Sequence, residues 1–375
     1  MKRMLFLLSA LLPWLLTAQT VTTIRANSGI TDDLIFDANG NLLGADYTGS
    51  AVFRVELPGT SVNTFSDGFN TPNGLALGSD GNYYMADNQG NKIYRIAPDG
   101  TASVFVDMYN PSGLIFQQGS DTLIATSYLG DRIVKISPDG VIHDWSKGGL
   151  LAGGPVGLCY DDAGRLYTGN FDDRRIIRIL ADGSQEAIGQ APTSGWLGFI
   201  DYANGYLYGT LYSTHKIFRM DLQGNASIIL GSTAGNADGD ATQAKFNAPN
   251  GILASSTGDT LYISDYNSSN LRMITGLNSL SATNEMFPEM NLQLYPNPVH
   301  DFLQVKALAS GNLPVRLEVF NAVGQNVYRD SIEANNGPLQ VQLDCSRWPA
   351  GSYQLLLFAG DGQVLSRWFV KSSGH

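Results

Sequence analysis

Short apolar runs alternate with turn residues along most of the chain. Between Pro72 and Asp107 the runs PNGLAL, NYYMAD, KIYRI and SVFVD are separated by SDG, NQGN and PDG. A glycine in such a connection favours a tight hairpin, because glycine adopts the positive φ that the turn requires. This stretch therefore predicts a four-stranded antiparallel meander.

The same unit recurs with a period of roughly 40 residues. Its first strand is marked by a glycine followed by an apolar residue. These glycines are Gly74, Gly113, Gly157, Gly198 and Gly251. An earlier copy without the glycine begins at Leu34. Six units of four strands predict an all-β fold, a six-bladed β-propeller over residues 19–280.

The sixth unit lacks a fourth strand, since the chain after Ile274 turns to Ser, Asn and Thr. The segment from Val21 to Arg25 has the composition of a strand and precedes the first unit. We expect it to pair into the sixth blade. The ring would then close and cover the strand edges that otherwise invite aggregation.

The composition changes after Thr275. Residues 281–293 belong to a stretch rich in Ser, Asn and Glu, which predicts a linker. In residues 294–375, the alternation of Val315, Leu317 and Val319 predicts a half-buried strand. Five to seven such strands predict a small Ig-like β-sandwich after the propeller.

The N-terminal residues 1–18 predict a secretory signal peptide. Lys2 and Arg3 precede an apolar core from Leu5 to Leu16, and small residues follow. The core is too short for a membrane span, and no other stretch approaches that length. The formal net charge of −11 argues against nucleic acid or an anionic membrane as a partner, because binding phosphate requires clustered cations.

Two once-per-unit positions are candidates for ligand binding. The residue that follows the second strand is aromatic in five of six units: Tyr47, Asn88, Tyr128, Phe171, Tyr212 and Tyr266. These residues either rim one opening, where they stack on a sugar or grip a peptide, or pack between blades.

The third strand carries a cation in each unit: Arg54, Arg95, Lys135, Arg178, Arg219 and Arg272. These cations either form a ring for an anionic ligand or pack over the next blade and pair with carboxylates.

The segment from Gly231 to Ile274 closely resembles an NHL repeat, with AKFNAPNGI, LYISD and NLRMI in order. The other units resemble the propellers of the gluconolactonase and senescence-marker-protein family. In its lactonases a divalent cation, usually calcium, lies on the axis and is held by residues at the starts of the inner strands. The resemblance implies possible Ca²⁺ ligands at matching positions here: Asp32 or Asp33, Asn73, Ser112 and Asn250. The matching residues of the fourth and fifth units are apolar, Val156 and Leu197.

The C-terminal region resembles the sorting domain of type IX secretion. The resemblance rests on the opening Tyr295, Pro296, Asn297 and Pro298 and on the later strand that begins with Gly351 and contains Tyr353. It implies sorting and folding roles for these residues, a Bacteroidota-type origin and the type IX machinery as a partner. The implied location is outside the cell or on the outer-membrane surface, after export across the inner membrane.

Two main functional hypotheses follow. The first is a binding module for a glycan, peptide or protein. The second is a metal-dependent lactone hydrolase, and a weaker third is a structural repeat protein without a small ligand. No residue is assigned a catalytic role. An axial metal would favour the hydrolase, and an aromatic-lined groove would favour the binding module.

Overall fold

The structure is a computed structural model that describes residues 19–59, 61–277, 293–297, 299–309, 313–321, 326–334, 337–358 and 364–372. Contacts divide the chain into two units, Met1–Leu280 and Ser281–His375. The predicted signal peptide, residues 1–18, lies outside the described residues, as does the predicted linker apart from residue 293.

The first unit is a six-bladed β-propeller, as the repeats predicted. Each blade is an antiparallel sheet, and in the first five blades the strands follow chain order from the channel outward. The strands of the first three blades are β2 Leu34–Phe36, β3 Leu42–Ala45, β4 Ala51–Glu56, β5 Ser61–Asp67; β6 Pro72–Leu77, β7 Tyr83–Asp87, β8 Lys92–Ile96, β9 Ala102–Asp107; β10 Pro111–Phe116, β11 Leu123–Ser127, β12 Arg132–Ile136 and β13 Ile142–Lys147.

The remaining blades continue the pattern. Their strands are β14 Pro155–Tyr160, β15 Leu166–Asn170, β16 Arg175–Ile179, β17 Gln185–Gln190; β18 Leu197–Ala203, β19 Tyr206–Leu211, β20 Lys216–Asp221, β21 Ala226–Leu230; β23 Pro249–Ala254, β24 Thr260–Asp265 and β25 Asn270–Thr275. The sixth blade is completed by β1, Thr20–Arg25, which pairs antiparallel with β25, and by the two-residue β22, Gly239–Asp240. The predicted closure of the ring by the N-terminal strand is therefore confirmed.

The inner-strand glycines lie where neighbouring inner strands approach each other closely. A Cβ added to Gly74 would lie 2.0 Å from the carbonyl oxygen of Ser112 in the next blade. A Cβ added to Gly113 would lie 2.1 Å from the carbonyl oxygen of Val156. The glycine recurs because neighbouring inner strands approach too closely for any side chain there.

The hydrophobic core lies between the blades. In one cluster Leu43 and Val52 of the first blade pack with Leu75 and Met85 of the second. Each blade buries both faces of its sheet against its neighbours, so a closed ring is needed for stability.

The second unit contains two sheets, as expected of the predicted Ig-like sandwich. Its strands are β26 Gln293–Tyr295, β27 Phe302–Ala309, β28 Leu313–Asn321, β29 Asn326–Ala334, β30 Gly337–Asp344, β31 Gly351–Phe358 and β32 Val364–Lys371. The strand orders are β26-β27-β30 and β29-β28-β31-β32. Leu317 and Val319 are buried in the shared core, as their alternation predicted.

Two of the sorting-motif residues stabilise this sandwich. The Oδ1 of Asn297 accepts a hydrogen bond of 2.9 Å from the backbone N–H of Val370. The ring of Tyr353 stacks on Phe369, and its hydroxyl donates to the carbonyl of Pro349 at 2.7 Å. In the same motif, Tyr295 and Pro296 are exposed and Gly351 pairs with Lys371. Pro298 lies outside the described residues.

Candidate ligand-binding site

A cavity of about 270 Å³ opens at one end of the propeller channel. Its walls come from two positions in each blade, the start of the inner strand and the residue after the second strand. The second group is Tyr47, Asn88, Tyr128, Phe171, Tyr212 and Tyr266. All six residues singled out at this position in the sequence therefore line one cavity.

The aromatic side chains form a continuous arc around this opening. The ring of Tyr266 lies 6.3 Å from that of Tyr47 and 5.2 Å from that of Tyr212, between centroids. Phe171 lies 6.3 Å from Tyr212 and 5.7 Å from Tyr128, in an edge-on arrangement. Each ring is half-buried. One part of the ring packs on neighbouring side chains and another part faces the cavity.

Asn88 fills the gap in the arc. Its Oδ1 accepts a hydrogen bond of 3.0 Å from Nδ2 of Asn110 and lies 3.5 Å from the hydroxyl of Tyr47. Its Nδ2 donates to the carbonyl of Pro111 at 3.0 Å. This amide is held by the protein and stabilises the wall rather than offering free hydrogen-bonding groups.

Trp196 also lines the cavity and was missed by the sequence analysis. Its ring stacks on Phe171 at 5.6 Å, with an angle of 18° between the planes. The backbone N–H of Trp196 donates to Oγ of Ser213 at 2.9 Å, which ties the residue to the connection after β19. Four other blades carry proline at the matching position, two before the glycine, so the tryptophan was a detectable departure from the repeat.

The floor of the cavity is polar on one side and apolar on the other. Its polar residues are Asp32, Asn73, Ser112 and Asn250. The Oγ of Ser112 donates to Oδ1 of Asn73 at 3.2 Å, and Nδ2 of Asn250 donates to the carbonyl of Thr31 at 3.2 Å. Val156 and Phe199 complete the floor.

Asp32 is the charged residue of this lining. Its side chain is 1% exposed, and its Oδ1 accepts no hydrogen bond within the described residues. Burial raises the pKa of the Asp32 carboxyl well above its ordinary value, and the charge of Asp33 adds to the rise. Such an oxygen is costly to the folded protein, which makes it a candidate for ligand contact.

Asp33, the other candidate from the sequence, does not line this cavity. It lines a second cavity of about 360 Å³, formed by the later parts of the inner strands. Its two carboxylate oxygens accept hydrogen bonds of 2.9 Å from the backbone N–H groups of Leu34 and Leu75. Of the two aspartates, Asp32 lines the aromatic cavity, whereas the carboxylate of Asp33 joins the first blade to the second.

Asp201 has a similar role on the same side of the channel. Its oxygens accept from the backbone N–H of Tyr202 at 2.8 Å and of Ala254 in the sixth blade at 2.7 Å. Burial raises the pKa of Asp33 to about 7 and that of Asp201 to about 6. The second cavity is otherwise lined largely by aliphatic and aromatic side chains.

The cations repeated in the third strands do not line the aromatic cavity. Arg272 is fully buried and pairs with Asp265 at 3.0 Å and Asp238 at 2.8 Å. The Nζ of Lys135 lies 3.9 Å from the ring centroid of Trp145. These contacts favour the packing interpretation of this position over an anion-binding ring.

The residues at the channel mouth do not fit a calcium ion. Calcium takes six to eight oxygen ligands, with carboxylates prominent among them. The floor offers one carboxylate, and the side chains of Val156 and Phe199 carry no oxygen. Across the described residues, no group of three or more His, Cys, Asp or Glu is placed to hold a metal.

Comparisons with known proteins agree with this architecture. Residues 293–371 match the family described as the secretion system C-terminal sorting domain. No curated protein matches the chain. Among solved structures, an auxiliary nutrient binding protein from Bacteroides thetaiotaomicron is 15% identical with a TM-score of 0.58, covering 68% of this chain and 76% of that one.

Two enzymes share the fold. A gluconolactonase from Xanthomonas campestris is 15% identical with a TM-score of 0.55, covering 68% of this chain and 89% of that one. A virginiamycin B lyase from Staphylococcus aureus is 20% identical with a TM-score of 0.50, covering 64% and 79%. At these identities the likeness shows the propeller fold alone.

The chain is thus a six-bladed propeller joined to a C-terminal sorting domain. The sorting domain implies export by type IX secretion to the cell surface or beyond. Within the described part of the chain, no helix has the length and apolar character needed to cross a membrane.

Proposed function

We propose that this protein is an exported binding protein that holds a small organic ligand, or one unit of a glycan or peptide, in its aromatic cavity. The observation that carries the proposal is the convergence of six aromatic rings on one opening. Half-exposed rings around a concave site are typical of ligand pockets, where they bury apolar surface without changing conformation.

The composition of the cavity supports binding rather than catalysis. Its lining contains no His, Cys, Lys or Arg, and Ser112 donates to an amide rather than to a general base. A nucleophile needs an adjacent base, and lactone hydrolysis by the implied mechanism needs a metal. The solved nutrient binding protein with a similar fold is consistent with a binding role.

The export route is proposed in finer detail from the sequence. We infer that residues 1–18 direct passage across the inner membrane and are removed. Residues 294–375 then direct type IX secretion and are removed or exchanged for a surface anchor. N-terminal and C-terminal sequencing of the exported protein tests both steps, and retention of residues 1–18 in the exported protein would contradict the first.

The binding proposal is tested with the purified protein and a panel of monosaccharides, amino acids and organic amines. We expect at least one class to raise the melting temperature. Tyr212→Ala should abolish that shift, because the ring of Tyr212 contacts those of Tyr266, Phe171 and Trp196. Tyr109→Ala is the control, since Tyr109 is 55% exposed and does not line the cavity.

Two outcomes contradict the proposal. A shift that persists unchanged in Tyr212→Ala would place the ligand elsewhere. Turnover of a sugar lactone added to the panel, abolished by removing divalent metal, would establish the hydrolase instead.

A further inference from the structure

The aromatic cavity carries one charged group among the described residues, and that group is an acid. Asp32 lies at its floor, whereas no Lys, Arg or His contributes to the lining. The whole chain has a formal net charge of −11, so its long-range field also favours cations over anions. An anionic ligand would meet repulsion from both sources.

The hydrogen bonding of Asp32 differs from that of the other buried acids. Within the described residues, Asp32 contributes the one buried carboxylate oxygen without a hydrogen-bond partner. By comparison, Asp87 accepts from three backbone N–H groups and Asp265 pairs with Arg272. A neutral ligand would leave Asp32 in the protonated form that burial favours, whereas a cation would compensate the charge of the ionised carboxylate. The chemistry of the floor therefore favours a ligand that is positively charged.

The walls suit the same ligand. A cation is attracted to the face of an aromatic ring, and the attraction increases in a site shielded from water. The arc supplies such rings from five blades, together with Trp196. Alkylated ammonium groups fit this environment best. Their alkyl groups pack on the rings, and because they have few N–H groups to donate, their charge is stabilised by ring faces and a carboxylate rather than by hydrogen bonds.

Three of the tyrosines already interact electrostatically with Asp32. Burial is the main cause of their raised pKa values, and the charge of Asp32 contributes to each rise. They are Tyr47, Tyr212 and Tyr266. The carboxylate and these rings therefore surround a common space, into which a cation would fit.

We propose that the aromatic cavity binds an organic cation, with an alkylated ammonium group held between the rings and balanced by Asp32. This inference rests on the ligand-binding function proposed above and narrows its ligand class. The small size of the cavity, about 270 Å³, matches a single head group rather than an extended chain.

Binding of a cation should be linked to release of a proton. Burial disfavours the ionised form of Asp32 in the free protein, and a bound cation restores it. The titratable groups around Asp32 are Asp33 on its own segment and Tyr47, Tyr212 and Tyr266 from three blades. The floor residues Asn73, Ser112 and Asn250 do not titrate. Affinity for a cation should therefore increase with pH through the titration of Asp32.

The experiment compares two probes of the same shape, choline and its neutral carbon analogue 3,3-dimethylbutan-1-ol. Isothermal titration of the purified protein should show choline binding about tenfold tighter, or more, as expected for a desolvated cation at aromatic faces and a carboxylate. Asp32→Asn should reduce choline affinity by about tenfold and leave the alcohol within about twofold. Asp33→Asn, the same change one residue later, should retain the preference for choline, because Asp33 does not line the cavity.

Each outcome decides a different question. Equal or tighter binding of the alcohol by the native protein would overturn the cation proposal and leave the binding pocket standing. Loss of choline preference in Asp33→Asn but not in Asp32→Asn would also overturn it. If neither probe bound at millimolar concentration, the alkylated ammonium ligand would be rejected, and the ligand panel with Tyr212→Ala would decide separately whether the cavity binds a ligand. Choline affinity independent of pH, in a protein that prefers choline, would overturn the role of Asp32.

Discussion

The two ends of the propeller channel use neighbouring aspartates in different ways. Asp33 lines the aliphatic end, and each of its oxygens accepts a hydrogen bond from a backbone N–H, one from the adjacent Leu34 and one from Leu75 in the next blade. Asp32 lines the aromatic end, and its Oδ1 accepts no hydrogen bond. Burial alone does not distinguish these residues, since Asp32 is 1% and Asp33 is 8% exposed.

The difference shows how a structural carboxylate can be told from one available to a ligand. A buried acid whose oxygens are all used by the protein contributes to stability, and removing it leaves donors unsatisfied. A buried acid with an unused oxygen costs stability, and such a cost is typical of functional sites. The predictions below test this distinction.

The largest expected effect is at the inner-strand glycines, where neighbouring blades approach closely. Gly113→Ala should destabilise the propeller by about 3 kcal/mol, because the new Cβ would lie 2.1 Å from a backbone oxygen of Val156 that cannot move alone. Gly81→Ala is the control: nothing lies within 4 Å of its added Cβ, and only its φ of +78° is unfavourable. We expect about 1 kcal/mol there. Chemical denaturation measures the free energy of unfolding of both variants. Equal losses in Gly113→Ala and Gly81→Ala would show that the inner strands can move apart to accommodate a side chain.

The second prediction is that removing the aspartate has opposite effects on stability at the two ends. Asp33→Ala should lower the free energy of unfolding by about 2 kcal/mol, since two backbone N–H groups lose their acceptor. Asp32→Ala should raise it by about 1 kcal/mol, since a buried acid with one unpaired oxygen is removed. Denaturant titrations of the two variants measure both values. A loss of stability in Asp32→Ala as large as that in Asp33→Ala would end the distinction.

Much of this architecture could be predicted from local pattern. The period of the glycines gave the blade count, and the strand composition of Val21–Arg25 gave the closure that pairs Val21 with Ile274. Both depend on alternation and turn chemistry, which the chain carries locally. The convergence of Tyr47, Tyr212 and Tyr266 followed from their shared position in each repeat.

The distinguishing features of the site could not be read in the same way. The first repeat lacks the glycine that sets the register, so Asp32 and Asp33 remained alternatives until hydrogen bonds separated them. Whether an oxygen is satisfied depends on a donor 42 positions away, as with the N–H of Leu75. Trp196 lies at a position where four other repeats have proline. Its place in the cavity wall became evident only from its stacking on Phe171.

The third prediction concerns the pH dependence of stability at the aliphatic end. The pKa values of Asp33 and Asp201, about 7 and about 6, are above the ordinary 3.8, so the folded protein binds more protons than the unfolded chain between pH 4 and 7. Stability from these groups is present below pH 4 and is lost as the pH rises to 7. We expect the free energy of unfolding to decrease steadily across this interval. The double variant Asp33→Asn, Asp201→Asn should show a smaller decrease, and an unchanged slope would contradict the assignment.

The smallest expected effect is at the aromatic end. The hydroxyl of Tyr128 lies 3.3 Å from Oδ1 of Asp172, an exposed hydrogen bond that contributes little in water. Tyr128→Phe keeps the ring and its edge-on contact with Phe171 and should change the free energy of unfolding by less than about 0.5 kcal/mol. It should leave choline affinity within about twofold, because ring faces rather than hydroxyl groups attract the cation. Tyr128→Leu removes the ring while keeping apolar volume, and should weaken choline more than the neutral alcohol. Loss of choline binding in Tyr128→Phe would show that the hydroxyl of Tyr128, rather than its ring, contacts the ligand. Equal weakening of choline and the alcohol in Tyr128→Leu would show that the ring does not favour a cation. Either result would contradict the proposal that the aromatic end differs from the aliphatic end in its affinity for cations.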